Sequence, residues 1–151
     1  MGGERGAPAA TYDRAMATLL AHITVRPGSE VEFEAVARML YERTHANETG
    51  VRRYEYWRGS DPRTYYTLLA FDDHRAFISH QTSDHHESAS PDLGRLIESL
   101  RLEWIDPIEG ACELPATAMQ SAPDGADDLT VEYTARFAAL IAPWWVLLRE
   151  R

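Results

Sequence analysis

The 151-residue sequence contains no lysine: all 15 basic residues are arginines. Mechanisms that need a Schiff-base amine or a phosphate-loop lysine are therefore excluded. Cysteine is almost as scarce. Cys112 stands alone, so no intrachain disulfide can form, and a reducing, cytoplasmic setting is expected. No apolar run reaches the roughly 20 residues that a membrane-spanning helix needs. The first residues also lack the charged-then-apolar pattern of a secretory signal. Positive charge is outweighed as well: 24 acidic residues give a net charge of −9. That balance disfavours nucleic acid and anionic membranes as partners. What remains is ordinary globular composition, 44% apolar and 26% charged, at a length that supports one domain with a real core.

Residues 1–17 open on a polar, Gly-rich stretch that reads as a flexible segment. Leu19, Ala21, Ile23 and Val25 then alternate with Leu20, His22 and Thr24, the period of a strand with one apolar face. Arg26-Pro27-Gly28 stops it. Ser29 with Glu32 makes a capping box, and Phe33, Val36, Ala37 and Leu40 fall at helical spacing, which predicts a helix from Glu30 to His45. Val51 to Arg58 reads as a second strand, with Arg52, Tyr54, Tyr56 and Arg58 on one face. Gly59 to Pro62 is a turn and Thr64 to Phe71 a third strand, so the two form a hairpin. Asp72 or Asp73 caps a helix running to Gln81. Ser90 before Pro91 predicts a further helix carrying Leu93, Leu96, Ile97 and Leu100. Leu102 to Ile105 is the fourth strand.

The order β-α-β-β-α-(α)-β is the split βαβ of the α+β, ferredoxin-like class, with helices on one face of a four-stranded antiparallel sheet. The other face is expected to carry His22, some of the Tyr and Arg residues, and Trp104. Such a face is too aromatic for water and calls for a second layer. This domain spans 18–110. Residues 111–127, rich in Ala, Pro, Ser, Asp and Gly, read as a linker. In 128–151, Leu129, Tyr133, Phe137, Leu140 and Ile141 form a helical stripe, followed by the apolar Pro143-Trp144-Trp145-Val146-Leu147-Leu148. Trp144 and Trp145 either pack on the domain or a partner, or close over a pocket.

Histidines carry the candidate chemistry. His80 shares a helix face with Phe77 and suits a general base that deprotonates a phenol or enol at neutral pH. The alternative is a helix histidine bonded to a loop. His22 lies on the non-leucine face of the first strand, facing either a pocket or a simple hydrogen-bond partner. His80, His85 and a carboxylate could hold a metal, but the spacing fits no standard zinc motif, so none is expected. Tyr54, Tyr56 and Tyr66 could grip an aromatic ligand, although alternation lets only about half the tyrosines face one side. Arg52 could hold a carboxylate or enolate; Arg58 fits a solvated edge better. Trp104 suits the core better than a cofactor site.

Several pieces, taken in order, resemble a known family. They are Val25-Arg26-Pro27-Gly28, Glu48 to Arg58, Asp61-Pro62, Tyr65 to Asp73, and Ala76 to His86 with its His80-x(4)-His85 element. Over residues 18–108 the chain resembles the antibiotic-biosynthesis-monooxygenase domain of the dimeric α+β barrel superfamily. The resemblance implies a homodimer in which two sheets face each other, with a pocket for a small aromatic substrate. It implies a small oxygenase of secondary metabolism acting on quinols, anthrones or other polyketide-like phenols without cofactor. Related barrels degrade haem or cyclise polyketides. Oxygenating members often carry Trp where this chain has Phe71, and haem-degrading members add an Asn that the first strand lacks. On this reading His80 and His22 are the catalytic candidates. Tyr54, Tyr56, Tyr66, Arg52, Phe71, His85 and Trp104 are the substrate contacts. A ligand-binding barrel without catalysis is the alternative of a different class.

Overall fold

The computed structural model describes residues 16–151, so most of the expected opening segment, 1–15, lies outside the described residues. The elements run β1 (Ala17–Val25), α1 (Glu30–Asn47), β2 (Val51–Arg58), β3 (Thr64–Phe71), α2 (His74–Gln81), α3 (Asp84–Leu96), β4 (Ile97–Trp104), α4 (Asp128–Arg136) and α5 (Pro143–Arg149). The strands form one antiparallel sheet in the order β2-β3-β1-β4. This is the α+β, ferredoxin-like arrangement that the apolar periodicities imply.

Register decides which side chains share a face. Leu19 pairs with Leu69 and Trp104, and Tyr54 also pairs with Leu69. One face therefore carries Leu19, Ala21, Ile23, Tyr54, Tyr56, Tyr65, Leu69, Phe71 and Trp104. Helix α1 covers it with Phe33, Ala37, Leu40 and Thr44, buried at helical spacing. Helix α2 adds Phe77, Ile78 and His80. On the opposite face His22 pairs with Tyr66 and Arg101, Leu20 with Leu68, and Trp57 with Tyr66. Toward the middle of that face Leu20, His22, Tyr66 and Leu68 stay partly exposed, whereas Thr18 and Ala70 at its end are buried. Trp104 thus belongs to the helix side, against expectation: it packs edge-on to Phe77 at 5.4 Å between ring centroids.

Three local expectations are corrected. Ser29 stands at the start of α1, but its side chain makes no capping bond. Helix α3 starts at Asp84, six residues before Ser90: Ser83 is its cap and accepts from the His86 amide, leaving Pro91 inside the helix. Finally, Ile97 to Leu100 are strand rather than helix. Their spacing fits both periods, and pairing wins because it satisfies the backbone groups along β1 from Ile23 to Val25.

Close approach at one corner sets up the site described below. A methyl on Gly50 would lie 2.7 Å from Ala76 Cβ, so only glycine lets the α1–β2 turn press against α2. The Asp72 amide donates to the Gly50 carbonyl at 2.8 Å and Asp73 caps α2 through the Ala76 amide. Glu48, two residues before Gly50, is thereby held beside α2.

Beyond the sheet, residues 116–118 run along Met16: the Met16 amide donates to Ala116 and the Ala118 amide to Met16. Thr117 is fully buried and donates to the Ile105 carbonyl at 2.7 Å. Helix α4 packs on α2 through Phe137 and Phe77, and Tyr133 donates to Glu87 at 2.7 Å. The helical stripe ends at Arg136, leaving Leu140 exposed. Arg149 of α5 grips Asp106 and the Thr117 carbonyl. Trp145 packs against the core, whereas Trp144 and Leu147 face outward. No helix among the described residues is long and apolar enough to cross a membrane.

Candidate functional site

Three helices converge on one carboxylate. Glu48 sits at the C-terminal cap of α1, His80 in the last turn of α2 and His85 in the first turn of α3. His80 Nδ1 donates to Glu48 Oε2 at 2.8 Å, and His85 Nε2 donates to the same oxygen at 2.6 Å. The side chains are 0% (His80), 10% (His85) and 13% (Glu48) exposed. Burial acts to raise the Glu48 pKa, but the hydrogen bonds and charges of His80 and then His85 outweigh it and hold the carboxyl below its ordinary value. An ionised carboxylate only accepts, so both facing nitrogens carry protons. In the neutral form of the His80 ring this leaves Nε2 with a free lone pair, and that atom is buried with no hydrogen-bond partner among the described residues.

Aromatic rings enclose the free side of His80. Tyr54 lies 4.8 Å away between centroids, Phe71 5.1 Å and His86 4.9 Å. The Tyr54 and Tyr56 hydroxyls are 2.9 Å apart. Burial pushes the Tyr56 phenol up to about 12, with its bond to Tyr54 pulling the other way, and burial likewise drives Tyr54 well above its ordinary value. Both phenols therefore stay protonated at neutral pH and serve as hydrogen-bond groups, not bases.

Two clefts flank this cluster. A mainly apolar cleft of about 520 Å³ lies between α1 and β2, lined by Phe33, Ala37, Tyr56, Trp57 and Tyr65 with Arg58 and Glu34, themselves ion-paired. Tyr54 separates it from His80: the ring packs on His80 and its hydroxyl meets Tyr56. A polar cleft of about 730 Å³ opens on the other side, where Glu48, His85, Ser79 and Ser83 reach its wall.

The expected site residues thus fall into separate groups. His80, His85, Tyr54, Tyr56 and Phe71 come together on the helix side. His22 and Tyr66 lie across the sheet from them, 5.7 Å apart, and His22 Nε2 donates to Glu103 at 2.8 Å. Among the described residues, no one pocket therefore gathers His22, His80 and all the tyrosines. Trp104 is core. Arg52 binds Asp72 at the sheet's end, because an irregularity between Val51 and Arg53 takes it out of register with Tyr54. Sequence reasoning missed Glu48, which is 32 residues from His80. Its only signal was membership of the Glu48-Thr49-Gly50 turn. His86, its ring against His80, was passed over because neighbouring His85 and His86 were not expected to share one direction.

The family model for antibiotic biosynthesis monooxygenases matches residues 16–91. No curated protein matches the chain. Solved structures do. One from Caulobacter crescentus CB15, provisionally named an antibiotic biosynthesis monooxygenase, is 26% identical, with a TM-score of 0.60 over 64% of this chain and 92% of that one. A Bacteroides thetaiotaomicron structure with the same provisional name is 20% identical, TM-score 0.60, covering 70% and 97%. A Pseudomonas aeruginosa protein is 23% identical, TM-score 0.58, covering 62% and 95%. At 20% and 23% identity, the last two likenesses bear on the fold alone.

His86 gives the site a pH signature. Burial, and next the charge of His80, push its pKa down from 6.5 to about 4, outweighing the attraction of Glu48. As pH falls, the unfolded chain takes up this proton first, so stability declines between pH 6.5 and pH 4. The loss from this residue is roughly 3 kcal/mol. Denaturant unfolding across that window should show it, and His86→Leu should flatten the profile. Parallel declines in the two proteins would refute the assignment.

Proposed function

The chain belongs to the antibiotic biosynthesis monooxygenase family, and on that premise we propose that it is a cofactor-independent monooxygenase of an electron-rich phenol, quinol or enol. One observation carries the reading: Glu48 fixes the proton of His80 on Nδ1, leaving Nε2 bare inside an aromatic enclosure. That is the arrangement of a general base with an orienting carboxylate. The aromatic cleft between α1 and β2 takes the ring, with Tyr56 at its wall, and a swing of Tyr54 opens the way to His80.

The chemistry balances without a further reductant. His80 Nε2 takes the acidic proton, and the resulting carbanion passes one electron to O2. The radical pair recombines to a peroxide, which regains the proton from His80 and loses water to leave a carbonyl. One CH2 and one O2 become one C=O and one H2O. Exclusion of water by Tyr54, Phe71 and His86 protects the peroxide. His85 supports Glu48 in this reading and lies on the far side from the ring.

The full burial of His80 favours a second reading, in which the cleft binds an aromatic ligand without turning it over. Oxygen uptake with a panel of anthrones and quinols separates the two. The monooxygenase reading requires uptake, a loss of about 10²-fold or more in kcat for His80→Ala, and a smaller loss for Glu48→Gln. Product without uptake would point to cyclisation, and full turnover by His80→Ala would eliminate the proposed base.

The open face with His22, Leu20, Tyr66, Leu68 and the exposed Trp57 supports a homodimer closed sheet to sheet. The partner's sheet would cover His22 and Tyr66, which therefore belong to the interface rather than the ring-binding cleft. The proposal extends to a cytoplasmic protein of secondary metabolism, in keeping with the single cysteine. Light scattering at micromolar concentration should give twice the chain mass; a monomer would rule out the barrel.

A further inference from the structure

The cluster at the meeting of α1, α2 and α3 has a second capacity. We infer that Glu48, His80 and His85 form a binding site for a divalent zinc-class cation, and that filling it switches off the base. The inhibitory half rests on the proposed monooxygenase reading; the metal site itself does not.

One ligand atom from each residue lies within 4.8 Å of the others: Glu48 Oε2, His80 Nδ1 and His85 Nε2. Two imidazoles and one carboxylate are a donor set for zinc, and leave a fourth position for water as in open zinc sites. The polar cleft beside Glu48 and His85 supplies both the entry path and the room for that water. Bonds of about 2.1 Å in a tetrahedron place ligand atoms about 3.4 Å apart. The present 2.8 and 2.6 Å contacts must therefore open by about 0.6 to 0.8 Å. Glu48 can give this distance, because it stands at a helix cap on the cleft wall and not within a packed helix face. The ligands come from three elements and so escape every contiguous zinc motif.

The surroundings also set the strength. Histidine ligands of tight sites donate their second nitrogen to an outer acceptor. His80 Nε2 has none. The site accordingly holds zinc at about micromolar affinity rather than as a permanent structural ion. Occupancy then has a defined chemical consequence. The metal takes the Nδ1 lone pair of His80, the ring proton moves to Nε2, and the atom that served as base no longer has a free pair. For the neutral ring, the switch is a change of tautomer.

Calorimetric titration of Zn2+ into the full chain, previously stripped by chelation, tests the site. We expect one Zn2+ per chain at micromolar Kd, no binding of Mg2+, and at least tenfold weaker binding in both His85→Ala and Glu48→Gln. Circular dichroism identifies any variant that fails to fold, and the other then decides. Unchanged affinity in the folded variants, or no saturable binding below about 1 mM, would overturn the site. Zinc binding that depends on His85 in a protein showing no oxygen uptake would sustain the site and remove the base reading. Undiminished uptake by zinc-saturated protein would overturn the inhibitory half.

Discussion

Taking a carboxylate out of water costs several kcal/mol unless donors surround it. Glu48 meets that cost with two imidazole N–H groups on a single oxygen, one from α2 and one from α3. Because Glu48 itself ends α1, the one oxygen ties together the helices that cover the sheet. The bond also decides chemistry. It fixes which nitrogen of His80 is protonated, and so which one is left bare. The glycine at position 50 serves the same end, since a side chain there would hold the α1–β2 turn away from α2.

The sheet divides the remaining residues by function. On the helix side, aromatic rings pack around His80 and line a cleft wide enough for a small aromatic molecule. On the other side, His22 and Tyr66 lie on a surface with Leu20, Leu68 and Trp57. The C-terminal residues outside the family match add a third feature. Phe137 docks on Phe77, and the His74 ring donates to the Phe137 carbonyl at 3.0 Å, so α4 buttresses α2 from behind. The position where oxygenating relatives often carry Trp is filled by Phe71, which is fully buried against His80. A Phe there fills less volume beside His80 than a Trp and brings no indole N–H donor.

The order of elements along the chain and the β2–β3 hairpin were legible because alternation and helical spacing are local signals. Leu19, Ile23 and Tyr54 each declare their face through neighbours two residues away. Ile97 to Leu100 misled, since the same spacing serves helix and strand and only the pairing with β1 decides. Ser90-Pro91 looked like a helix start, but Ser83 takes that role, its side chain accepting from the His86 amide. The site itself was half legible. His80 and His85 stood out as an element, but the carboxylate between them lies across a turn and a hairpin in the chain. No spacing rule links residues whose contact depends on tertiary closure at Gly50. Likewise His22 and Tyr66 could be assigned to a strand face, but which face met the helices required the register.

The central claim is that Glu48 holds His80 as an Nδ1–H tautomer with Nε2 free. Long-range 1H–15N correlation spectra of the imidazoles at neutral pH read this directly. The account requires a protonated-type shift for His80 Nδ1 and an unprotonated, pyridine-type shift for Nε2, with the pattern lost in Glu48→Gln. A proton on Nε2 with Nδ1 bare would contradict it.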